Sequence, residues 1–298
     1  MKLTRAQFDV LCLLEQKKNE KTLSQRSIAG FTGLSVGTVN KTLVYLSERG
    51  LIDDNCINKA GLKALEPYRV KRAVFIAAGF GSRLIPISLN TPKPLVRVKG
   101  VRIIDTLLDA VCAAGIDDIV IVRGYLSEQF DQLKYKYPNI QFLENPLYNE
   151  ANNISSAMCA RYLLQNAYVL ESDLFLNKAA LIQKYQFASN YLGVPVERTD
   201  DWCFETRNKI ITRVRVGGQN CYHMFGISYW SQDDGAKLAD HIKQVYEMPG
   251  GKERYWDQVP LEYFIKEYTI EARECSMEDI IEIDTFNELK KIDDTYRI

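Results

Sequence analysis

At 298 residues, 46% hydrophobic and 26% charged, the chain has the make-up of an ordinary globular protein with room for two domains. Net charge is zero, yet residues 1–70 hold 11 Lys and Arg against 7 Asp and Glu, and the remainder 27 against 31. A mildly basic front and a mildly acidic back point to different partners for the two parts. Seven cysteines, an odd number without a Cys-x-x-Cys pair, argue against a disulfide framework and for a reducing cytoplasm. No apolar run reaches transmembrane length, and Met1-Lys2-Leu3-Thr4-Arg5 lacks a signal-peptide core, so a cytoplasmic protein with no membrane partner is expected.

In chain order, Thr4 and Gln7 form a capping box ahead of a helix whose Phe8, Leu11 and Leu14 share a face. Ser24 opens a second short helix through Ile28 and Ala29. Thr32-Gly33-Leu34 makes a tight turn, and Ser35 caps a third helix with Val39, Leu43 and Leu46 on one side. Gly50 ends that helix, and Leu51-Ile52 with a turn near Lys59-Ala60-Gly61 predicts a small β wing. Helix, glycine turn, helix and wing give a helix-turn-helix reading of residues 1–68. Residues 23–29 and 34–41 resemble winged helix-turn-helix domains of the MarR-like kind. The resemblance implies DNA as a partner, met by the outward Thr38, Lys41, Thr42 and Tyr45, against a competing role as a dimerisation or regulatory appendage that would make a homodimer. Glu66-Pro67-Tyr68 marks the junction with a second domain over 71–298.

From Lys71 onward, strands alternate with helices. The apolar run Ala73-Val74-Phe75-Ile76 predicts a buried strand leading into Ala77-Ala78-Gly79-Phe80-Gly81-Ser82-Arg83-Leu84. Ile104, Leu107, Leu108 and Val111 line a helix that stops at Gly115. Strands are expected over 118–122, 140–143 and 167–170, with helices over 127–136 and 155–164. Such alternation implies an α/β fold with a doubly wound, mostly parallel sheet and ligands at the C-terminal ends of its strands. Past Tyr191 the texture becomes hairpin-like, with turns at Arg207-Asn208-Lys209 and Gly217-Gly218. A last strand over 280–283 ends at Asp284.

The glycine-rich turn is where such a fold holds phosphate. Gly79 and Gly81 let the backbone approach a ligand, and the N–H groups of the loop, Ser82 included, can point at anionic oxygens. Arg83 and Lys93, the latter in Thr91-Pro92-Lys93-Pro94-Leu95, add two permanent cations. The pattern fits neither a P-loop nor Gly-x-Gly-x-x-Gly. It resembles the signature of the sugar-nucleotidyltransferase-like superfamily, Rossmann-like proteins that join a nucleoside triphosphate to a phosphorylated substrate and release pyrophosphate. The resemblance implies that Gly79, Gly81 and Arg83 wrap the triphosphate while Lys93 offsets charge near the α-phosphate, making Arg83 and Lys93 the catalytic pair. By position and resemblance, the Ala78 backbone, Gly124-Tyr125, Asn153 and Ser155 are candidates for the nucleobase end. Ser88 stands where many members have Thr, and Val101-Arg102-Ile103 replaces a proline-bearing stretch.

Asp173 and Asp284 each end an expected buried strand. Nucleotidyl transfer needs Mg²⁺ to bridge phosphate oxygens, and strand-end carboxylates facing the loop would hold it. The superfamily uses such a pair. For Asp284 the competing reading is an N-cap of the helix that follows; Glu171 is read as a neighbouring polar residue.

The three tryptophans of the chain lie beside acids or another aromatic, in Asp200-Asp201-Trp202, Tyr229-Trp230 and Tyr255-Trp256-Asp257. A quaternary ammonium cannot donate ordinary hydrogen bonds and is held by aromatic faces and a nearby carboxylate; core packing is the competing reading of each ring. With Asn152-Asn153 and 226–230, these stretches resemble bacterial CTP:phosphocholine cytidylyltransferases over about 72–295. The resemblance implies CTP and phosphocholine as substrates, CDP-choline and pyrophosphate as products, and Trp202, Tyr229, Trp256 and Asp257 around the choline. Rival readings are a sugar 1-phosphate or phosphoethanolamine acceptor, or a nucleotide-sensing DNA-binding regulator. His223 and His241 fall in no motif, consistent with attack by a substrate phosphate that needs no general base.

Overall fold

The computed structural model describes residues 2–19 and 22–297. The chain divides into Met1–Arg69 with Tyr185–Phe187, and Val70–Lys184 with Ala188–Ile298. Met1 and Ile298, the outer bounds expected of the two domains, lie outside the described residues.

The first unit packs three helices, α1 (Arg5–Gln16), α2 (Gln25–Thr32) and α3 (Val36–Glu48), around Leu11, Ile28, Val39 and Leu46. Its caps are those the sequence requires. Thr4 and Gln7 close a reciprocal capping box, and Ser24 and Ser35 accept from the backbone three residues on. Gly33 takes the left-handed conformation at φ 70° that lets the chain reverse between α2 and α3. Tyr68 and Phe187 stack at 5.6 Å on the same core. Thr42, expected to face outward, is buried, because it lies next to Leu43 on the inner side of α3.

The small β pair differs from the expected wing. Strands β1 (Ile52–Asp53) and β2 (Cys56–Ile57) pair around Asp54-Asn55, both at positive φ, rather than around Lys59-Ala60-Gly61. Lys59 instead opens α4 (Lys59–Leu65), capped by Asn58 Oδ1, which accepts from the N–H groups of Ala60 and Gly61. Gly61 is a packing glycine: a Cβ there would stand 2.3 Å from the Leu51 carbonyl oxygen.

The second unit is built on a seven-stranded sheet. In chain order its elements are β3 (Arg72–Ala77), the small pair β4 (Arg97–Val98) and β5 (Val101–Arg102), α5 (Ile103–Ala113), β6 (Asp118–Arg123), β7 (Ile140–Glu144), α6 (Ile154–Ala160) and β8 (Ala167–Glu171). There follow β9 (Leu174–Leu176), β10 (Asn190–Arg207), β11 (Ile210–Trp230), α7 (Gln232–Glu247), β12 (Glu271–Glu274), β13 (Ile280–Glu282) and α8 (Phe286–Ile292). Strand order is β10-β12-β11-β8-β3-β6-β7, with β8, β3, β6 and β7 mutually parallel and β11 antiparallel to β8. The expected doubly wound α/β sheet is therefore present, mixed at one side.

Alternation along β3 shows how both faces are covered. Ala73, Phe75 and Ala77 join the core beneath α5, whereas Val74 and Ile76 join the core beneath α6 and α7. Residues 127–135 wind as a 3-10 helix, and α6 gives way to a 3-10 turn over Arg161–Leu163. Gly217-Gly218 is not a turn. It lies inside β11, which forms one long hairpin with β10 turning at Asn208-Lys209, whose φ values are 52° and 64°. Among the described residues no helix is long and apolar enough to cross a membrane.

Replacing Gly61 by alanine should lower stability by about 1–3 kcal/mol, since neither the Leu51 carbonyl nor Ile57 can yield without moving the wing. Urea denaturation of the full chain followed by circular dichroism measures it.

Candidate active site

The C-terminal ends of β3 and β8 and the segment after β13 converge on a cleft of ≈ 480 Å³. This is where an α/β sheet places its ligands. One wall is the loop leaving β3. Gly81 sits at φ 62°, and a Cβ there would come within 2.9 Å of Lys93 Cβ, so the left-handed turn brings the loop down onto the lysine stem. A Cβ at Gly79 would meet nothing within 4 Å, leaving that stretch of backbone open to the cleft.

Lys93 is the hinge of the arrangement. Its ammonium donates to Asp173 Oδ2 at 2.8 Å and to Asp284 Oδ1 at 2.7 Å, and Arg83 closes on Asp284 at 2.8 Å. Burial alone would lower the Lys93 pKa; the charges and hydrogen bonds of Asp173 and Asp284 outweigh it and hold the group above the usual lysine value. The capping question for Asp284 is resolved by its neighbour. Thr285 is the N-cap of α8, in a reciprocal box with Glu288, so the Asp284 side chain is free to face the cleft.

Six carboxylates line this cleft, those of Glu171, Asp173, Asp201, Asp257, Glu282 and Asp284, against the two cations Arg83 and Lys93. Burial, then the charges of Asp173 and Asp257, push the Glu171 carboxyl well above its ordinary range. Burial, then Asp173 and Asp284, does the same to Glu282. Burial raises Asp257 to about 6, although the Tyr191 hydroxyl donates to it at 3.2 Å. Donor oxygens of Asp173, Glu282 and Asp284 lie within 4.8 Å of one another. Asp173 Oδ1 is buried without a hydrogen-bond partner. An all-oxygen set with an unsatisfied carboxylate oxygen fits a hard divalent cation such as Mg²⁺.

The far end of the cleft is organised by Asn153. Its Nδ2 donates to Glu171 Oε1 at 3.3 Å and its Oδ1 accepts from the Trp256 N–H at 2.9 Å, which ties the 255–257 segment to the end of β8. Gly226 floors this end, where a Cβ would strike Glu171 Oε2 at 2.4 Å. Trp202 and Tyr255 meet edge to face at 5.7 Å and both line the cleft. Asp201 and Trp202 are adjacent in sequence yet both reach it, because the β10–β11 register slips between Thr199 and Trp202.

Of the residues singled out from sequence, Ala78, Gly79, Gly81, Ser82, Arg83, Lys93, Asn153, Ser155, Asp173, Trp202, Asp257 and Asp284 are gathered along this cleft. Four are not. Gly124 packs under Tyr148, where a Cβ would stand 2.7 Å from Tyr148 Cβ. Tyr125 braces the glycine loop from behind: its N–H donates to Ala78 O at 3.1 Å and its ring leans on Phe80. Tyr229 follows Phe225 and Ile227 at period two into the core and donates to Asn166 Oδ1 at 3.3 Å. Trp256 is fully buried against Trp230 at 6.1 Å. Glu282 was missed, as was Glu171, read only as a neighbour. The signal available was parity, since each lies two residues before a strand-end aspartate and shares its side of the chain. Tyr148 carried no such signal, while Tyr255 stood in the Tyr255-Trp256-Asp257 cluster without being chosen.

Residues 72–193 match the family model of nucleotidyl transferases. Over 228 residues the chain is 35% identical to the 2-aminoethylphosphonate cytidylyltransferase of Lancefieldella rimae, a match covering 75% of this chain and 92% of that one. It is 30% identical over 223 residues to the choline-phosphate cytidylyltransferase of Haemophilus influenzae, covering 74% of this chain and 95% of the relative. The solved CTP:phosphocholine cytidylyltransferase of Streptococcus pneumoniae superposes with a TM-score of 0.71 at 31% identity, over 76% of this chain and 99% of that one. A glycine-rich loop, a buried lysine and paired strand-end aspartates on this sheet define a nucleotide-handling α/β enzyme. The chain belongs to the nucleotidyl transferase family.

The two tryptophans at the edge of this site should behave oppositely. Trp256→Ala is expected to cost about 3–5 kcal/mol in a denaturant melt, as a fully buried ring does, whereas Trp202→Ala, on the cleft wall, should cost under about 1.5 kcal/mol.

Proposed function

We propose that the chain is a cytidylyltransferase joining CTP to a small phosphorus oxyacid that carries a cationic amine, with release of pyrophosphate. Phosphocholine and 2-aminoethylphosphonate are the acceptors of this class named by the relatives. The observation that carries the reading is the charge balance of the cleft, six carboxylates against two cations beside a phosphate-binding loop. Such a site would repel a triphosphate and an anionic acceptor unless cations neutralised it. A divalent ion held by Asp173 and Asp284 would supply one part, and a positively charged acceptor end would supply the other. A sugar phosphate carries no such positive charge.

The loop N–H groups from Gly79 to Ser82 are placed to receive the triphosphate, with Arg83 at their C-terminal side. Mg²⁺, when bound, would offset phosphate charge and polarise the α-phosphate. Lys93, buried and held by two aspartates, would stabilise the negative charge that develops on the α-phosphoryl oxygens. An oxygen of the acceptor, already ionised at neutral pH, forms the new bond to the α-phosphorus while the α–β bridging bond breaks and pyrophosphate carries away the electron pair. No side chain has to remove a proton. Trp202, Tyr255, Asp201, Glu171 and Asp257 line the acceptor side of the cleft.

Initial rates of pyrophosphate release with CTP should exceed those with UTP, and with phosphocholine or 2-aminoethylphosphonate should exceed that with glucose 1-phosphate. Lys93→Ala and Asp173→Asn should each lower turnover by about 10²–10³-fold, and EDTA should abolish it. Equal rates with glucose 1-phosphate would sink the cationic-acceptor reading.

A further inference from the structure

We infer that Asp201, His223 and Glu282 form a three-point clamp for a primary ammonium group, so that the acceptor is a short primary-amine phosphonate or phosphate; this rests on the transferase reading above. One ligand atom from each of the three residues lies within 4.8 Å of the other two. An –NH₃⁺ group donates three hydrogen bonds in a tetrahedral fan, and three acceptors about 2.8 Å from its nitrogen stand about 4.6 Å apart. The set is compact enough for such a fan and mixes two carboxylates with an imidazole nitrogen, all able to accept.

The clamp is built, not incidental. Thr199 ties two of its members together, its Oγ1 accepting from the Asp201 N–H at 3.2 Å and lying 3.1 Å from His223 Nδ1. The tautomer that donates Nδ1–H to Thr199 leaves the other ring nitrogen with a free lone pair. Among the described residues no hydrogen bond reaches the half-buried Glu282 carboxylate. The slipped register of β10 turns Asp201 into the cleft from a position that regular pleating would alternate with Trp202.

Glu282 also belongs to the Asp173–Asp284 set, which places the amine one carboxylate away from the phosphoryl chemistry. A trimethylammonium has no N–H to give and depends on aromatic faces, of which the cleft keeps Trp202 and Tyr255 while Tyr229 and Trp256 are in the core.

Steady-state kinetics of the full chain with CTP, comparing 2-aminoethylphosphonate with phosphocholine, tests this. His223→Phe should raise KM for 2-aminoethylphosphonate about tenfold or more while leaving KM for CTP and for phosphocholine within about twofold. His223→Gln, which restores an acceptor oxygen, should recover part of the loss. A loss of the same size for both acceptors, or no loss, overturns the clamp, as does a wild-type chain that uses phosphocholine and not 2-aminoethylphosphonate, with the transferase reading intact. A wild-type chain that joins CTP to neither acceptor overturns the proposed function and the clamp with it.

Discussion

Everything at the cleft depends on one buried ammonium. Lys93 reaches 80 residues forward in sequence to Asp173 and 191 forward to Asp284, and so closes three distant segments into a single site. The cost of burying its charge is offset only because both carboxylates are within hydrogen-bond distance. That requirement propagates outward. Gly81 must be left-handed so that the loop can settle on the lysine stem, and Thr285 must take over the capping of α8 so that Asp284 is released. Each is a local backbone choice, and each is made in favour of the same ion pair.

The same interaction explains why so acidic a cleft folds at all. Lys93 and Arg83 neutralise the two aspartates nearest the loop, but among the described residues Glu171, Asp257, Glu282 and Asp201 have no cation of their own there. Desolvation pushes Glu171 and Glu282 toward their neutral forms in the free protein. Cationic ligands would recover that energy by restoring the ionised carboxylates to a paired state, so the charge imbalance is best understood as stored affinity. It also separates the roles of the groups. In the proposed reaction, Asp173 and Asp284 beside Lys93 serve the phosphate chemistry, and the carboxylates without an ion pair are left for the acceptor.

Much of this was legible in the sequence, for physical reasons that can be named. The strands of the parallel sheet are apolar on both faces and bounded by turns, so 73–76, 118–122 and 167–170 could hardly be anything else. Caps at Thr4, Ser24 and Ser35 are local interactions and announce themselves locally. The loop glycines, Lys93 and both strand-end aspartates share the strand ends of one fold, so their order along the chain is informative. The aromatic residues were not legible in the same way. Tyr229 and Trp256 look like Trp202 in composition, and only strand parity and tertiary packing decide that two of the three rings are core. Gly61 and Gly217-Gly218 resemble turn glycines, yet the first is needed for helix–wing packing and Gly218 for two cysteine sulfurs, Cys203 Sγ at 2.8 Å and Cys221 Sγ at 3.0 Å from where a Cβ would lie. A glycine demanded by a neighbour distant in sequence carries no local mark.

The division between the sheet and the β10–β11 hairpin gives these observations a common logic. In the proposed reaction, phosphoryl chemistry sits at the C-terminal ends of parallel strands, where backbone geometry is fixed by pairing on both sides and a misplaced group would cost turnover. The acceptor clamp inferred above would draw instead on Asp201 and His223, carried with Trp202 by a long two-stranded ribbon whose register slips at several points. A bulge can re-aim one side chain without moving the sheet, since the extra residue is absorbed locally in the ladder. Changes in the hairpin can therefore exchange aromatic faces for hydrogen-bond acceptors, and a quaternary for a primary amine, while Lys93, Asp173 and Asp284 stay where the chemistry needs them.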